Sequence, residues 1–396
     1  MVKRPLTGIR VLDLSRVLAG PYCGQLLADM GADVIKIEQP TGDENRGWAP
    51  VLPSGESCNF MSVNRGKRGM TLNLRTDEGK QLLRKLLAVS DVLIHNYLPE
   101  TAAKLGFDPD ALIAEFPRLI VCSVTAYGSK GPLRDSPGYD SVIQAFAGIM
   151  AMTGESDGGP VRSTISVVDL ATGQIACCGI LSALIGRGIG SAERHVQVSL
   201  FESAVSLLGY HAVAYLEAGV LPKREGSGIW HLTPYQAFKC TDQYIYTGAL
   251  NDSTWFRLCD CVDRPDLRND PTLATNILRL SQRERLVSEF TKIFATDTAH
   301  SWLERLQKFQ VPASLLHTLD QVFEHEQTLM NDMVAMAVTA SGDTVRLLGL
   351  PFKIGAITQP SPTAPPRLGQ HTDEILQDLL GMSADQRRAL SSSGAI

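Results

Sequence analysis

Residues Gly8 to Glu38 read GIRVLDLSRVLAGPYCGQLLADMGADVIKIE. The β-branched run Ile9 to Leu14 predicts a strand. Tyr22 to Met30 predicts a helix, with Pro21 near its start and Gly31 as its stop, and Asp33 to Glu38 predicts a second strand. Strand, helix and strand in so short a span imply two parallel strands joined by a helical crossover. The pattern continues. Asp91 to Asn96, Leu119 to Ala126 and His195 to Leu200 are further strand candidates, with helices expected at Glu78 to Leu87 and Leu170 to Ile185. The fold class is therefore α/β, with a parallel sheet in the N-terminal half.

From about Pro222 the texture changes. PKREGSGIWHLTP is a loop punctuated by Gly and Pro, followed by the strand-like YQAFKCTDQYIYTGAL and then by charge-laced helices to about Lys308. A second, smaller domain is expected there, which suits a chain of 396 residues. Strand-like pieces at Met333 to Val338 and Thr344 to Gly349, the Pro-rich TQPSPTAPPRLGQ and a final helix, Thr372 to Leu380, complete the chain. Hydrophobic content of 44% and charged content of 20% describe an ordinary globular protein, and a net charge of -5 argues against a polyanion-binding surface. The N-terminus lacks the apolar core of a signal peptide, so a cytoplasmic protein is expected, or one of an organelle matrix after removal of a transit peptide. The apolar run Ile175 to Ile185 is shorter than the roughly 20 residues that span a bilayer and reads as a core helix. Eight cysteines without framework spacing read as buried thiols, and Cys259 and Cys261 lack a second ligand pair, so no metal is expected.

One carboxylate stands out. In ISVVDLATGQIACCGILSALI, Ile165 to Ile185, Asp169 interrupts a long apolar run. A short β-branched segment precedes it and a helix follows, so an N-cap role explains it, as does a working carboxylate in a cleft. In open α/β sheets ligands bind beyond the carboxyl ends of the strands. After the first strand comes SRVLAGPYCGQ, after the second QPTGDENRGW and then NRGKRGMTLNLR, and after the third NYLPETAAKLGF. No G-x-G-x-x-G follows any strand, which argues against a nicotinamide dinucleotide. Scattered cations, backbone amides and aromatics in these loops suit a large anionic ligand carrying adenine and phosphates, and equally suit ordinary solvated loops.

The motifs resemble those of the class III coenzyme A transferases of the CaiB/BaiF type, the family of formyl-CoA and succinyl-CoA:dicarboxylate CoA-transferases, with the α-methylacyl-CoA racemases as relatives. The resemblance rests on eight segments in order: Gly8 to Glu38, NRGKRGMTLNL, NYLPETAAKLGF, PGYDSVIQAFAG, VDLATG, VQVSLFESA, PYQAFKCTDQYI and PPRLGQHTDEIL. It implies a Rossmann-like large domain, residues 1–200 and 320–396, a linker at 201–222 and a small α+β domain at 223–319. It further implies a ring-shaped monomer in an interlocked homodimer, and acyl-CoA and a carboxylic acid as substrates, with no nucleic acid or membrane partner. Asp169 in VDLATG falls on the family's catalytic carboxylate, which attacks the acyl-CoA thioester. The implied CoA site comprises Val17, Leu18 and Ala19, then Leu72, Asn73, Leu74 and Arg75, then Asn96, Tyr97 and Leu98, and finally Gly138, Tyr139 and Asp140. Where relatives carry arginine this chain has Gln39, Leu98 and Lys104, so Arg16, Arg75 or Lys104 are expected to meet the phosphates. The shielding loop falls on Gly226, Ser227, Gly228, Trp230 and His231.

The racemase alternative needs a His where this chain has Tyr139, and a Glu in GALNDSTWF, which offers Leu250 and Asn251. Both absences favour the transferase. A non-catalytic CoA-binding protein would be expected to lack the nucleophile. PYQAFK and PPRLGQHTDEIL most resemble the branch that moves CoA from succinyl-CoA to dicarboxylates, with His231, Arg224 and Arg162 as candidate carboxylate partners.

Overall fold

The computed structural model describes residues 3–53, 55–360 and 363–396; Ser361 and Pro362 of the Pro-rich stretch lie outside the described residues. Two compact units divide the chain. The first combines the residues up to Ala147 with Thr164–Gly209 and Glu326–Ile396, and the second combines Gly148–Ser163 with Tyr210–His325. The expected linker is therefore split between the units, and Gly148–Ser163, read from the sequence as part of the large domain, belongs to the second.

In the first unit six strands form one parallel sheet: β1 (Arg10–Asp13), β2 (Asp33–Glu38), β3 (Arg68–Thr71), β4 (Val92–His95), β5 (Ile120–Thr125) and β6 (His195–Ser199). Their order, β3-β2-β1-β4-β5-β6, is that of a doubly wound nucleotide-binding sheet, whose direction of progression reverses between β1 and β4. One face is packed by Leu12, Ile35, Met70, Leu93 and Val121 against Leu82, Leu83 and Leu86 of the helix Asp77–Ala88 and Ile375 of the helix Thr372–Leu380. Helix α1 (Ala19–Asp29) and, further along, α2 (Asp140–Phe146) and α3 (Val167–Gly188) lie in the remaining crossovers, with α3 packed on α1, β5 and β6.

Strand β3 was not expected. RGMT is short and polar-flanked; it pairs with β2 and is held in addition from far along the chain. The Gly69 N–H donates to Nδ1 of His371, the His371 N–H to the Gly69 carbonyl, and the Thr71 N–H to the Thr372 hydroxyl. Likewise the Asn73 N–H donates to the Ala395 carbonyl. The chain's final segment thus closes the sheet edge that its first segment opens.

Helix α3 also differs from expectation. It runs 22 residues, so by length and composition alone it could cross a bilayer. Its buried stripe, Val168, Thr172, Ala176 and Ile180, recurs every four residues and faces its neighbours in the first unit, as in a helix covering a sheet. Gly173 is needed for this packing. A Cβ there would stand 2.6 Å from the Ala19 carbonyl oxygen, so only glycine lets α3 approach α1 so closely.

In the second unit β7 (Tyr235–Lys239), β8 (Tyr244–Gly248) and β9 (Ala313–Leu315) form an antiparallel sheet in the order β7-β8-β9. Phe238, Ile245, Trp255, Phe290, Phe294 and Trp302 fill its core. Cys259 and Cys261 are buried in that core, and burial pushes their thiols up to about 12 and about 11.

Candidate active site

The cavity that matters lies at the carboxyl ends of β1 and β4, the point where the sheet order reverses. Arg16, Val17, Leu18 and Ala19 after β1 and Asn96, Tyr97 and Leu98 after β4 line a space of about 230 Å³. Gly138 and Tyr139 from the loop before α2 complete its wall, and Asp169 opens into it. Beside it, sharing Tyr97 and Thr101, is a cavity of about 450 Å³ lined by Gln39, Leu72, Asn73, Leu74 and Arg75. Residues from six separate sequence segments are thus gathered into two adjoining spaces. Lys104 lines neither; it is 72% exposed and pairs with Glu100 at 2.6 Å. The cations facing the cavities are Arg16, whose guanidinium stands 5.8 Å from the centre of the Tyr97 ring, and Arg75.

Asp169 is not the cap of its helix. Ser166 occupies the N-cap position without a side-chain bond, no strand precedes it, and Asp169 is the third helical residue. The capping acceptor comes from elsewhere. One oxygen of the buried Asp140 accepts from the backbone N–H groups of Val168 at 2.8 Å and Asp169 at 3.2 Å, and the other accepts from Gln144 at 2.6 Å. Both carboxylate oxygens of Asp140 are thereby engaged within the protein. Among the described residues the Asp169 carboxylate has no hydrogen-bond or ion-pair partner. Burial, and secondarily the Asp140 charge, push it up to about 7. Desolvation and a like charge thus oppose the helix N-terminus, which favours the ionised form.

Replacing Asp140 with Asn removes the like charge but keeps an acceptor for the Val168 N–H. The acid limb of kcat/KM, which reports ionisation of Asp169, is then expected to move to lower pH in a pH–rate profile.

Asn96, expected at CoA, is occupied in the same way. Its Oδ1 accepts from the Arg16 N–H and its Nδ2 donates to the Arg16 carbonyl, both at 3.0 Å. Asn73 donates through Nδ2 to the Gly394 carbonyl and accepts from the Arg75 N–H. These two asparagines shape the walls.

Gly226, Ser227, Gly228, Trp230 and His231 lie in the second unit. There Trp230 and His231 pack with Tyr210 and His211, and the indole N–H of Trp230 and Nδ1 of His231 are buried with no partner among the described residues. Of the candidate carboxylate partners, Arg224 is held by the carbonyls of Glu155 and Gly158.

Sequence reading missed the charged groups beneath the loop after β1: Asp13, Lys36, Asp43 and Lys67, all buried. The one available signal was a lysine in the middle of the strand DVIKIE.

Comparison with known proteins agrees with this geometry. Residues 6–372 match the model of CoA-transferase family III, and the chain belongs to that family. It is 38% identical to an acyl-CoA transferase of Fusarium pseudograminearum over 99% of this chain and 88% of the relative. It is 34% identical to succinyl-CoA:glutarate CoA-transferase of Homo sapiens, over 99% of this chain and 90% of the relative. The crystal structure of a CAIB/BAIF family protein from Brucella suis superposes with a TM-score of 0.84 at 34% identity, covering 96% of this chain and all of the other.

Proposed function

We propose that the protein moves CoA from succinyl-CoA to a dicarboxylic acid through covalent intermediates on Asp169. The observation that carries this reading is a carboxylate without protein partners, raised to about 7, opening into the cavity at the sheet's switch point. Such a group is substantially ionised yet poorly solvated at neutral pH, which suits a nucleophile.

In the forward half-reaction a carboxylate oxygen of Asp169 attacks the thioester carbonyl. The new C–O bond forms as the C–S bond breaks, leaving an acyl-aspartyl anhydride and CoA thiolate. The thiolate then attacks the aspartyl carbonyl, forming the aspartyl-CoA thioester and releasing succinate. The acceptor carboxylate reverses both steps and carries CoA away. Tyr97, Leu72 and Leu74 are suited to the adenine and Arg75 and Arg16 to the phosphates, with Gln39 and Leu98 contributing no charge. Relatives named for succinyl-CoA and glutarate support the choice of donor and acceptor.

Incubation with succinyl-CoA, trapping with hydroxylamine and mass spectrometry of the digest is expected to place a hydroxamate on the peptide bearing Asp169. Its absence, with turnover intact, would refute the covalent reading. In steady-state assays dicarboxylates such as glutarate are expected to exceed monocarboxylates of similar length in kcat/KM; the reverse order would remove the dicarboxylate assignment.

The homodimer belongs to the same proposal. Ile185 and Ile189, at and just beyond the end of α3, are 69% and 83% exposed, and Val213, Leu216 and Leu221 in the second unit are exposed as well. Large apolar residues exposed in such number favour a partner, and a second copy supplies one. Light scattering on the eluted protein is expected to give twice the chain mass; a stable monomer would contradict it. The eight cysteines are all free thiols, as suits a reducing compartment.

A further inference from the structure

The loop after β1 is held on every backbone polar group of three successive residues. The Ser15 N–H donates to Asp13, and its carbonyl accepts from the Lys36 ammonium. Asn96 pairs with both groups of Arg16. The Val17 N–H points between the two carboxylate oxygens of Asp43, at 3.2 and 3.3 Å, and its carbonyl accepts from Nδ2 of Asn45 at 2.7 Å. Lys36 and Asp43 pair at 2.9 Å, both side chains fully buried.

Held in this way, Val17 has φ +69°. That left-handed conformation is a genuine outlier for a β-branched residue, and it persists only where the surroundings over-determine it. A second buried pair lies alongside, because Lys67 binds Asp13 at 2.8 Å and the Pro21 carbonyl in the first turn of α1 at 2.7 Å. Burial opposes ionisation of Asp13, but Lys67 and Lys36 outweigh it and hold the carboxyl below its ordinary range. Buried ion pairs are a poor source of stability compared with apolar packing, so stability alone does not account for two of them under one loop.

We propose that Lys36, Asp43 and Asn45 are positioning residues for acyl transfer: they fix Val17 in its left-handed conformation and so set the wall that faces Asp169. The inference rests on the covalent reading given above. Val17 and Asp169 line the same cavity, whereas the adjoining cavity lined by Gln39, Leu74 and Arg75 does not include Val17. Arg16, next to Val17, keeps its own two backbone bonds to Asn96, so loss of the clamp slows chemistry at Asp169 while leaving the nucleotide half of CoA bound.

The test compares wild type with Lys36→Met/Asp43→Leu, which removes both charges together and with them the acceptor of the Val17 N–H. With succinyl-CoA in single turnover, the rate of adduct formation on Asp169 is expected to fall about 100-fold, the size of effect that a small misplacement produces. The dissociation constant of free CoA is expected to stay within about threefold of wild type, since a positioning defect acts on the chemical step. Adding Val17→Gly to the double variant is expected to restore much of the rate, because glycine adopts positive φ without help.

Equal acylation rates in wild type and double variant would overturn the proposal. So would parallel losses of CoA binding and acylation, which mark general disruption. Should the double variant fail to fold, Asn45→Ala removes one contact to Val17 and no charge. It is expected to slow acylation about 10-fold at unchanged CoA affinity, and an unchanged rate would again overturn the proposal. If wild type turns over without any adduct on Asp169, the covalent reading fails, and the clamp is then decided on steady-state kcat with the same variants.

Discussion

Asp169→Asn is expected to lose turnover by at least about 10⁴-fold, the scale seen when a covalent nucleophile is removed, and to be more stable than wild type at pH 8. The second effect follows from the same burial that raises the carboxyl to about 7. Below pH 4 the group is protonated whether folded or unfolded, and it contributes nothing. As pH rises from about 4 to 7 the unfolded chain ionises while the folded protein holds its proton, so stability drains away across that window. The loss is complete above pH 7, and a shift of about three pKa units corresponds to about 4 kcal/mol. Asparagine has no such proton linkage. Urea denaturation at pH 8 should therefore favour the variant by up to about 4 kcal/mol, with the difference vanishing near pH 4. Equal stabilities at both pH values would show that Asp169 is not desolvated.

Arg65→Met is expected to be the most damaging single change away from the cavity. The Arg65 guanidinium grips both oxygens of Asp29, with the shortest contact at 2.6 Å, and donates to the Leu348 carbonyl at 2.7 Å. Asp29 is the last residue of α1, where a carboxylate opposes the helix dipole, and it is fully buried. Removing the cation breaks a buried ion pair, which costs about 3–5 kcal/mol. Urea midpoints at pH 7 check this, and a midpoint within experimental error of wild type would mean that the pair contributes no net stability.

Strands β1, β2, β4, β5 and β6 were legible because each is a β-branched run buried by its neighbours, and the helix Thr372–Leu380 because its apolar spacing is regular. Strand β3 was not legible, since RGMT carries no β-branched run and depends on its pairing with β2 and on His371 and Thr372, three hundred residues away. Asp169 could be placed near a helix start from the sequence, but the identity of its cap could not. Asp140 reaches α3 from another helix, and no local pattern encodes that contact. Lys36 in DVIKIE gave the only hint of the buried charges, and its partner could not be read from the sequence: β2 lies between β1 and β3, and the ammonium is turned inward onto Asp43. The left-handed Val17 carries no sequence signal at all, being imposed by groups that converge on it in three dimensions.

The pairing of Gly69, Thr71 and Asn73 with His371, Thr372 and Ala395 has a consequence for biosynthesis. On the ribosome β3 emerges as the open margin of an unfinished sheet, and its cover is made about three hundred residues later. Throughout the synthesis of the entire second unit that margin stands uncovered, able to pair with another nascent chain. Translation that stops short of His371 yields a polypeptide with the cavity-forming loops present and the sheet unsealed. Residues 371 and 372 thus decide whether a margin made three hundred residues earlier is safe.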